Sequence, residues 1–250
     1  MSTSTVLFLP GFMCDYRLFS PQVTAMTAAG YRCFHADLSR GLSIPNIAKN
    51  VLDQAPRRFA AVGLSMGGLV AFELYRQAPE RITHLALLNT TARSDAAGDA
   101  RKSQLKRVAA GDLDLVLREE LKPRYLHPSN RTSRTLDLLE NMGSGLGEHV
   151  FCSQTMALAS RPSYVEMLHR IWCPTLVVGG ADDKVCPVDR HEEISAHIPG
   201  ADIRILNSCG HLCTLEQPDA VNRALLNLLS RPAARLTGTG NAELRVFGAS

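Results

Sequence analysis

The chain of 250 residues is 45% hydrophobic and 20% charged, an ordinary globular composition that supports one sizeable core. Its net charge is only +3 and no lysine or arginine run stands out, which argues against a nucleic-acid partner. No apolar stretch approaches the roughly 18 residues of a membrane span, and the opening MSTSTVLFLPGF lacks the basic start of a signal peptide.

Seven cysteines, an odd number without a C-x-x-C pair, read as reduced thiols and lead to the expectation of a cytoplasmic protein. Along the chain, short apolar runs alternate with helix-like segments. A strand is predicted at residues 6–9, followed by Pro10-Gly11-Phe12 and a helix over 15–29. Strands at 31–35 and 59–62 lead into helices over 44–55 and 66–77, the latter stopping before Pro79. A fourth strand is predicted at 84–88. No β-type run then follows until 175–178; helical spacing appears instead at 102–110, 112–121, 132–142, 148–159 and 163–171. After 175–178 come a helix over 188–197, a strand at 203–206 and a helix over 216–230.

Runs such as TLVVGG and LALL are apolar almost throughout, as strands buried on both faces are. The alternation predicts an α/β fold: a mostly parallel sheet of about six strands with helices on both faces. Residues 1–91 and 171–230 form its core. Residues 92–170 read as a helical insertion, with a separate small helical domain as the alternative. Residues 231–250 have few large apolar side chains and are expected to be a loose extension.

The third strand runs into Gly63-Leu64-Ser65-Met66-Gly67-Gly68, a G-x-S-x-G pattern in strand–turn–helix context. Such a turn strains its central residue and exposes the hydroxyl of Ser65 above the sheet. Met66, opening the helix, would present its backbone N–H to an anion. No lysine follows the glycines, so a phosphate-binding P-loop is excluded. A serine hydroxyl needs a base and an orienting acid. The segment after the fifth strand offers Asp182 and Asp183, and NSCGHLCTLEQP after the sixth offers His211. All three would stand at the C-terminal ends of strands, where wound sheets gather their sites. His191-Glu192 and His197 suggest a zinc motif, but its second histidine would fall at Ser195, so no metal is expected.

With FLPGF, HADLSRG, GLSMGG, QAPERITHLALLNT, GGADDKVCP and NSCGHLCTLEQP in this order, the chain resembles the α/β-hydrolase superfamily from about residue 6 to 229. That resemblance implies Ser65 as nucleophile and His211 as general base. It implies Asp183 as the acid, because the family pattern G-x-x-D-x-x-x-P fits Gly180, Asp183 and Pro187. It also implies an oxyanion hole from the backbone N–H groups of Phe12 and Met66, although Pro10 replaces the family's usual histidine. The family's N-terminal hairpin has no counterpart before the first strand, and the link DLSRGLSIPNIA is short. Residues 92–170 would be a lid.

The reaction so implied is hydrolysis of a carboxylic ester or lactone of a small molecule through an acyl-enzyme, without metal or organic cofactor. An imidazole base must be neutral to act, so activity is expected to rise with pH through about 6 to 7. Met13, Met66, Met156 and Leu212 are candidate substrate-binding residues for a small hydrophobic acyl group. Arg93, Arg124 and His127 could bind a carboxylate. The segment LLNTTAR is similar to that of enol-lactonases and small-ester hydrolases. Alternatives on the same triad are C–C bond hydrolysis of a vinylogous diketone, amide hydrolysis and acyl transfer. A non-catalytic ligand receptor is the remaining class.

Overall fold

The six predicted strands pair into one sheet. The computed structural model describes residues 4–94 and 98–233. In it, β1 (Thr5–Leu9), β2 (Arg32–His35), β3 (Phe59–Leu64), β4 (Ile82–Leu88), β5 (Thr175–Gly180) and β6 (Asp202–Leu206) lie in the order β2-β1-β3-β4-β5-β6. Every neighbouring pair is parallel. Gly63 and Leu64 still pair in the ladder, opposite Leu87 and Leu88, as do Gly179 and Gly180, opposite Ile205 and Leu206, which carries β3 and β5 two residues past their predicted ends.

Alternation along the strands sends side chains into two apolar layers. Leu7, Leu9, Phe59, Ala61, Leu85, Leu87 and Val177 face one layer. Val6, Phe8, Ala60, Val62, Ala86, Leu88, Leu176 and Val178 face the other. Helix α1 (Ser20–Ala28) contributes Met26 to the second layer. Helix α2 (Ile44–Gln54) starts at Ser43, whose hydroxyl accepts from the Asn46 N–H, and Pro45 suits its first turn. It buries Ile44, Ile47, Ala48 and Val51, one stripe at helical spacing, in the first layer. Helix α3 (Met66–Gln77) is buried from Met66 to Tyr75.

Between β4 and β5 the described residues form helices and no strand. Helix α4 (Gly98–Ala109) is followed by a single turn at Leu113–Leu115, a π-helical stretch at Val116–Leu121 and a short helix at Lys122–Tyr125. Helix α5 (Ser133–Ala159) joins the two helices expected at 132–142 and 148–159, broken at Gly147 with φ of 80°. The helix expected at 163–171 is a 3-10 stretch, Val165–Arg170. This insertion shares the core of the sheet: Val116, Leu117, Phe151 and Leu168 pack in the first layer, Leu139 and Met142 in the second.

Helix α6 (Val188–His197) follows β5. The helix expected over 216–230 is α7 (Pro218–Leu229), which starts at Pro218 behind a separate turn at Cys213–Glu216, because proline suits a first turn and cannot continue the preceding one. Of the expected loose extension, 231–250, residues from 234 on lie outside the described ones. Arg231 is tied down: its guanidinium pairs with Asp202 and its carbonyl with the His84 ring at 2.9 Å. The seven cysteines form no disulfide. Among the described residues no helix is long and apolar enough to cross a membrane.

The start of α3 presses against β1. A Cβ on Gly67 would stand 1.9 Å from the carbonyl oxygen of Leu9, which is backbone and has no room to yield. Gly67→Ala is therefore expected to destabilise the fold by about 1–3 kcal/mol or more. Urea denaturation would show this as a lower midpoint, and an unchanged midpoint would contradict the close approach.

Candidate active site

Ser65 joins β3 to α3 with φ of 55° and ψ of −116°, a conformation that L-residues avoid. Its neighbours hold it there. The Ser65 N–H donates to the Leu88 carbonyl at 2.9 Å, and its carbonyl accepts from Thr90 Oγ1 at 2.8 Å. Thr90 occupies the space that a side chain on Gly68 would take, with only 2.5 Å to the built Cβ. The glycines around Ser65 thus admit both β1 and Thr90 to the turn.

Ser65 Oγ lies 2.8 Å from His211 Nε2, and His211 Nδ1 lies 2.8 Å from Asp183 Oδ2. Both partners are nearly sealed from solvent, at 2% and 5% exposure. The other carboxylate oxygen of Asp183 accepts the N–H groups of Val185 and Cys186 at 2.8 and 2.9 Å. Burial pushes the Asp183 carboxyl up, but the His211 charge and these hydrogen bonds outweigh it and hold the pKa below the usual range. A carboxylate only accepts, so the proton between the pair sits on His211 Nδ1 and leaves Nε2 facing the hydroxyl as acceptor.

Asp182 does not reach His211. Its side chain is half exposed and faces His127 Nε2 at 3.8 Å, while its N–H donates to the Cys209 carbonyl. The His211 loop is fixed from two sides. The His211 N–H donates to the Tyr125 carbonyl at 2.7 Å. The Glu216 carboxylate accepts from the N–H groups of Gly210, Leu212 and His127.

Phe12 and Met66 are buried and line a cavity of about 340 Å³ onto which Ser65 opens. Among the described residues, neither backbone N–H has an acceptor. Leu69, Leu121 and Leu158 complete its apolar wall. The other sequence-based pocket residues lie elsewhere. Met13 is wholly buried in the core, and Leu212 borders only a narrow cleft beside His211. Met156 is 48% exposed, because α5 turns its neighbours Thr155 and Ala157 inward and Met156 to solvent. Of the candidate carboxylate partners, Arg93 pairs with Glu193 and His127 with Ser129; Arg124 lines the cavity.

Three contributors, Asn89, Gln154 and Lys122, escaped sequence reasoning. Asn89, in the left-handed region at φ of 44°, donates to Asp183 Oδ2 at 2.9 Å and to the Gly210 carbonyl at 3.1 Å. Met13, at φ of 50°, has both peptide groups held by the insertion. Its N–H donates to Gln154 Oε1 at 2.9 Å, and its carbonyl accepts from Lys122 Nζ at 2.7 Å. Lys122 is only 1% exposed, and burial drives its ammonium below the ordinary lysine value. These side chains stabilise the loop that carries Phe12.

Asp183, Cys186 and His211 form the one cluster of metal-ligand type among the described residues. Both oxygens of Asp183 already accept hydrogen bonds, so the cluster serves to orient an imidazole. Because the folded pKa of Asp183 is depressed, its stabilising contribution is complete above the unfolded value of about 3.9 and is lost as pH falls through the folded one. Asp183→Asn should cost about 1–3 kcal/mol near neutrality. The gap from wild type should shrink on acidification below about pH 4, as measured by denaturation across pH. A gap independent of pH would contradict the assignment of the charge.

The alpha/beta hydrolase family profile matches residues 6–224. The 2-hydroxy-6-oxononadienedioate/2-hydroxy-6-oxononatrienedioate hydrolase of a Pseudomonas species is 27% identical over 236 residues, covering 85% of this chain and 82% of its own. A thermophilic esterase from Thermogutta terrifontis superposes with a TM-score of 0.78 at 25% identity, over 90% of this chain and 89% of that one. The enol-lactonase of Burkholderia xenovorans has a TM-score of 0.84 at 20% identity, over 92% and 93% of the two chains, which speaks for the shared fold. With this match spanning most of its length, the chain belongs to the alpha/beta hydrolase family and is a hydrolase.

Proposed function

We propose that the protein is a serine hydrolase that cleaves a carboxylic ester or lactone of a small molecule through an acyl-enzyme. One observation carries the reading: the run of hydrogen bonds from Ser65 Oγ through His211 to Asp183, 2.8 Å at each step, beneath a cavity. His211 Nε2 takes the hydroxyl proton as Ser65 Oγ attacks the carbonyl carbon. The negative charge that develops on the carbonyl oxygen is met by the N–H groups of Phe12 and Met66. His211 then passes the proton to the departing alkoxide, the C–O bond breaks, and the acyl group stays on Ser65. A water, deprotonated by the same nitrogen, attacks the acyl carbon and releases the acid. Asp183 keeps the imidazole in the right tautomer, and Asn89 keeps Asp183 in place. Residues 92–170 act as a lid, supplying Leu121 and Leu158 to the cavity wall.

The esterase relative at 25% identity supports the ester reading. The Pseudomonas relative favours a second one, hydrolysis of a 2-hydroxy-6-oxo acid such as its name states, on the same three residues. A panel of 4-nitrophenyl esters, lactones and vinylogous diketones separates the two by kcat/KM. Ser65→Ala should lower kcat by at least about a thousandfold and leave the fold intact. Asp183→Asn should cost about 10⁴ in kcat and Asp182→Asn no more than a few-fold. Retained turnover in Ser65→Ala would overturn the nucleophile, and the reverse order of the two aspartates would overturn the acid.

A further inference from the structure

The cavity onto which Ser65 opens is charged in a way the rest of the molecule is not. Arg101, Arg124, Arg161 and Lys184 all line it, and no aspartate or glutamate does. The whole chain carries a net charge of only +3, so this is a local concentration. Several arginines elsewhere pair with carboxylates: Arg76 with Glu73, Arg93 with Glu193, Arg107 with Glu120, Arg118 with Glu140. Arg124 and Lys184, both exposed, make no hydrogen bond or ion pair among the described residues.

Both are also anchored beside the reacting groups. Lys184 directly follows Asp183. Arg124 directly precedes Tyr125, whose carbonyl holds the backbone of His211. Their main chains are thus fixed by the hydrogen bonds that fix the triad, and only the side chains remain to be directed. Phe12, Met66, Leu69 and Leu158 supply apolar wall, and Thr90, Thr91 and Gln104 add polar groups. A cavity of this size takes a small molecule, and the exposed side chains of Arg124 and Lys184 offer a carboxylate on it guanidinium and ammonium donors.

We infer that the substrate carries a carboxylate, and that Arg124 and Lys184 bind it while Ser65 faces the ester or lactone carbonyl. The inference rests on the hydrolase reading of Ser65 for the position of the scissile bond. The carboxylate belongs either to the acyl part or to the leaving group.

Binding to the Ser65→Ala protein, measured by calorimetry, tests this without turnover. Two matched pairs of probes serve: phenyl hemisuccinate against phenyl succinamate for the acyl part, and para-carboxyphenyl butyrate against para-carbamoylphenyl butyrate for the leaving group. In at least one pair the carboxylate should bind tenfold or more tighter than its neutral amide. The pair that shows the preference identifies the side of the bond. The preference should fall as salt is raised, and should collapse in Ser65→Ala carrying Arg124→Gln and Lys184→Gln. Unfolding midpoints of that variant report whether the fold is kept. Equal binding of acid and amide in both pairs would overturn the inference, as would a preference that survives both substitutions. Failure of wild-type protein to cleave any of the four would count against the ester reading alone, since the binding comparison stands without cleavage.

Discussion

The left-handed conformation of Ser65 is the constraint around which the site is arranged. A serine there is strained by about 1–3 kcal/mol and persists only where its surroundings allow no alternative. Here the surroundings are two strands. Leu88 at the end of β4 takes the Ser65 N–H, and Thr90 just beyond takes its carbonyl. Gly67 lets the first turn of α3 lie against Leu9 of β1. The strain at one residue is thus distributed over three adjacent strands of a parallel sheet, and the same strand ends carry Phe12, Asn89 and Thr90 into the site. Asp183 and His211 arrive from the next two strands by the same logic, since parallel strands all deliver their C-terminal loops to one edge.

That regularity explains what was legible in the sequence. The four central strands are buried on both faces and have continuous apolar runs, while the partly exposed edge strands β2 and β6 showed as short apolar runs between helical segments; G-x-S-x-G marked the turn between β3 and α3. The choice of Asp183 over Asp182 came from the family pattern, since the residues taken by themselves left both open. Adjacent residues leave a turn in different directions, and the donors of Val185, Cys186 and Asn89 are what draw one carboxylate in. Asn89 was hidden because its role depends on a φ of 44° and on partners 94 and 121 residues away. Lys122 and Gln154 were hidden for a related reason: in sequence a lysine and a glutamine on helical stretches look like solvated surface. The insertion was the least legible part. The break at Gly147 falls between the two helices expected there, but the single turn at Leu113–Leu115, the π-helical stretch Val116–Leu121 and the 3-10 stretch Val165–Arg170 depart from regular helical spacing. Met156 shows the cost of choosing pocket residues by apolarity, since one step of about 100° along a helix separates a buried position from an exposed one.

Charge is apportioned along the same lines. Several arginines of the surface are matched by a carboxylate within reach, and Glu216 directs its oxygens to backbone N–H groups of the His211 loop. Asp183 is surrounded by donors to the point that its ionised form is favoured despite burial. The negative charge of the site is therefore committed to orienting one imidazole, and the positive charge around the cavity has no internal counterpart in its lining.

The two-sided hold on Met13 has a consequence for modularity. Helical insertions between the strands of a sheet invite exchange, as if the sheet were a platform indifferent to what covers it. This platform is not indifferent. The peptide groups of Met13 and the carbonyl of Leu38 are completed by Lys122 and Gln154, which belong to the insertion. A foreign helical segment grafted in its place would need to bring an acceptor and two donors of its own to those positions. Without them it would leave main-chain polar groups dry and unpaired next to Phe12, so the sheet and its cover have to be exchanged together or not at all.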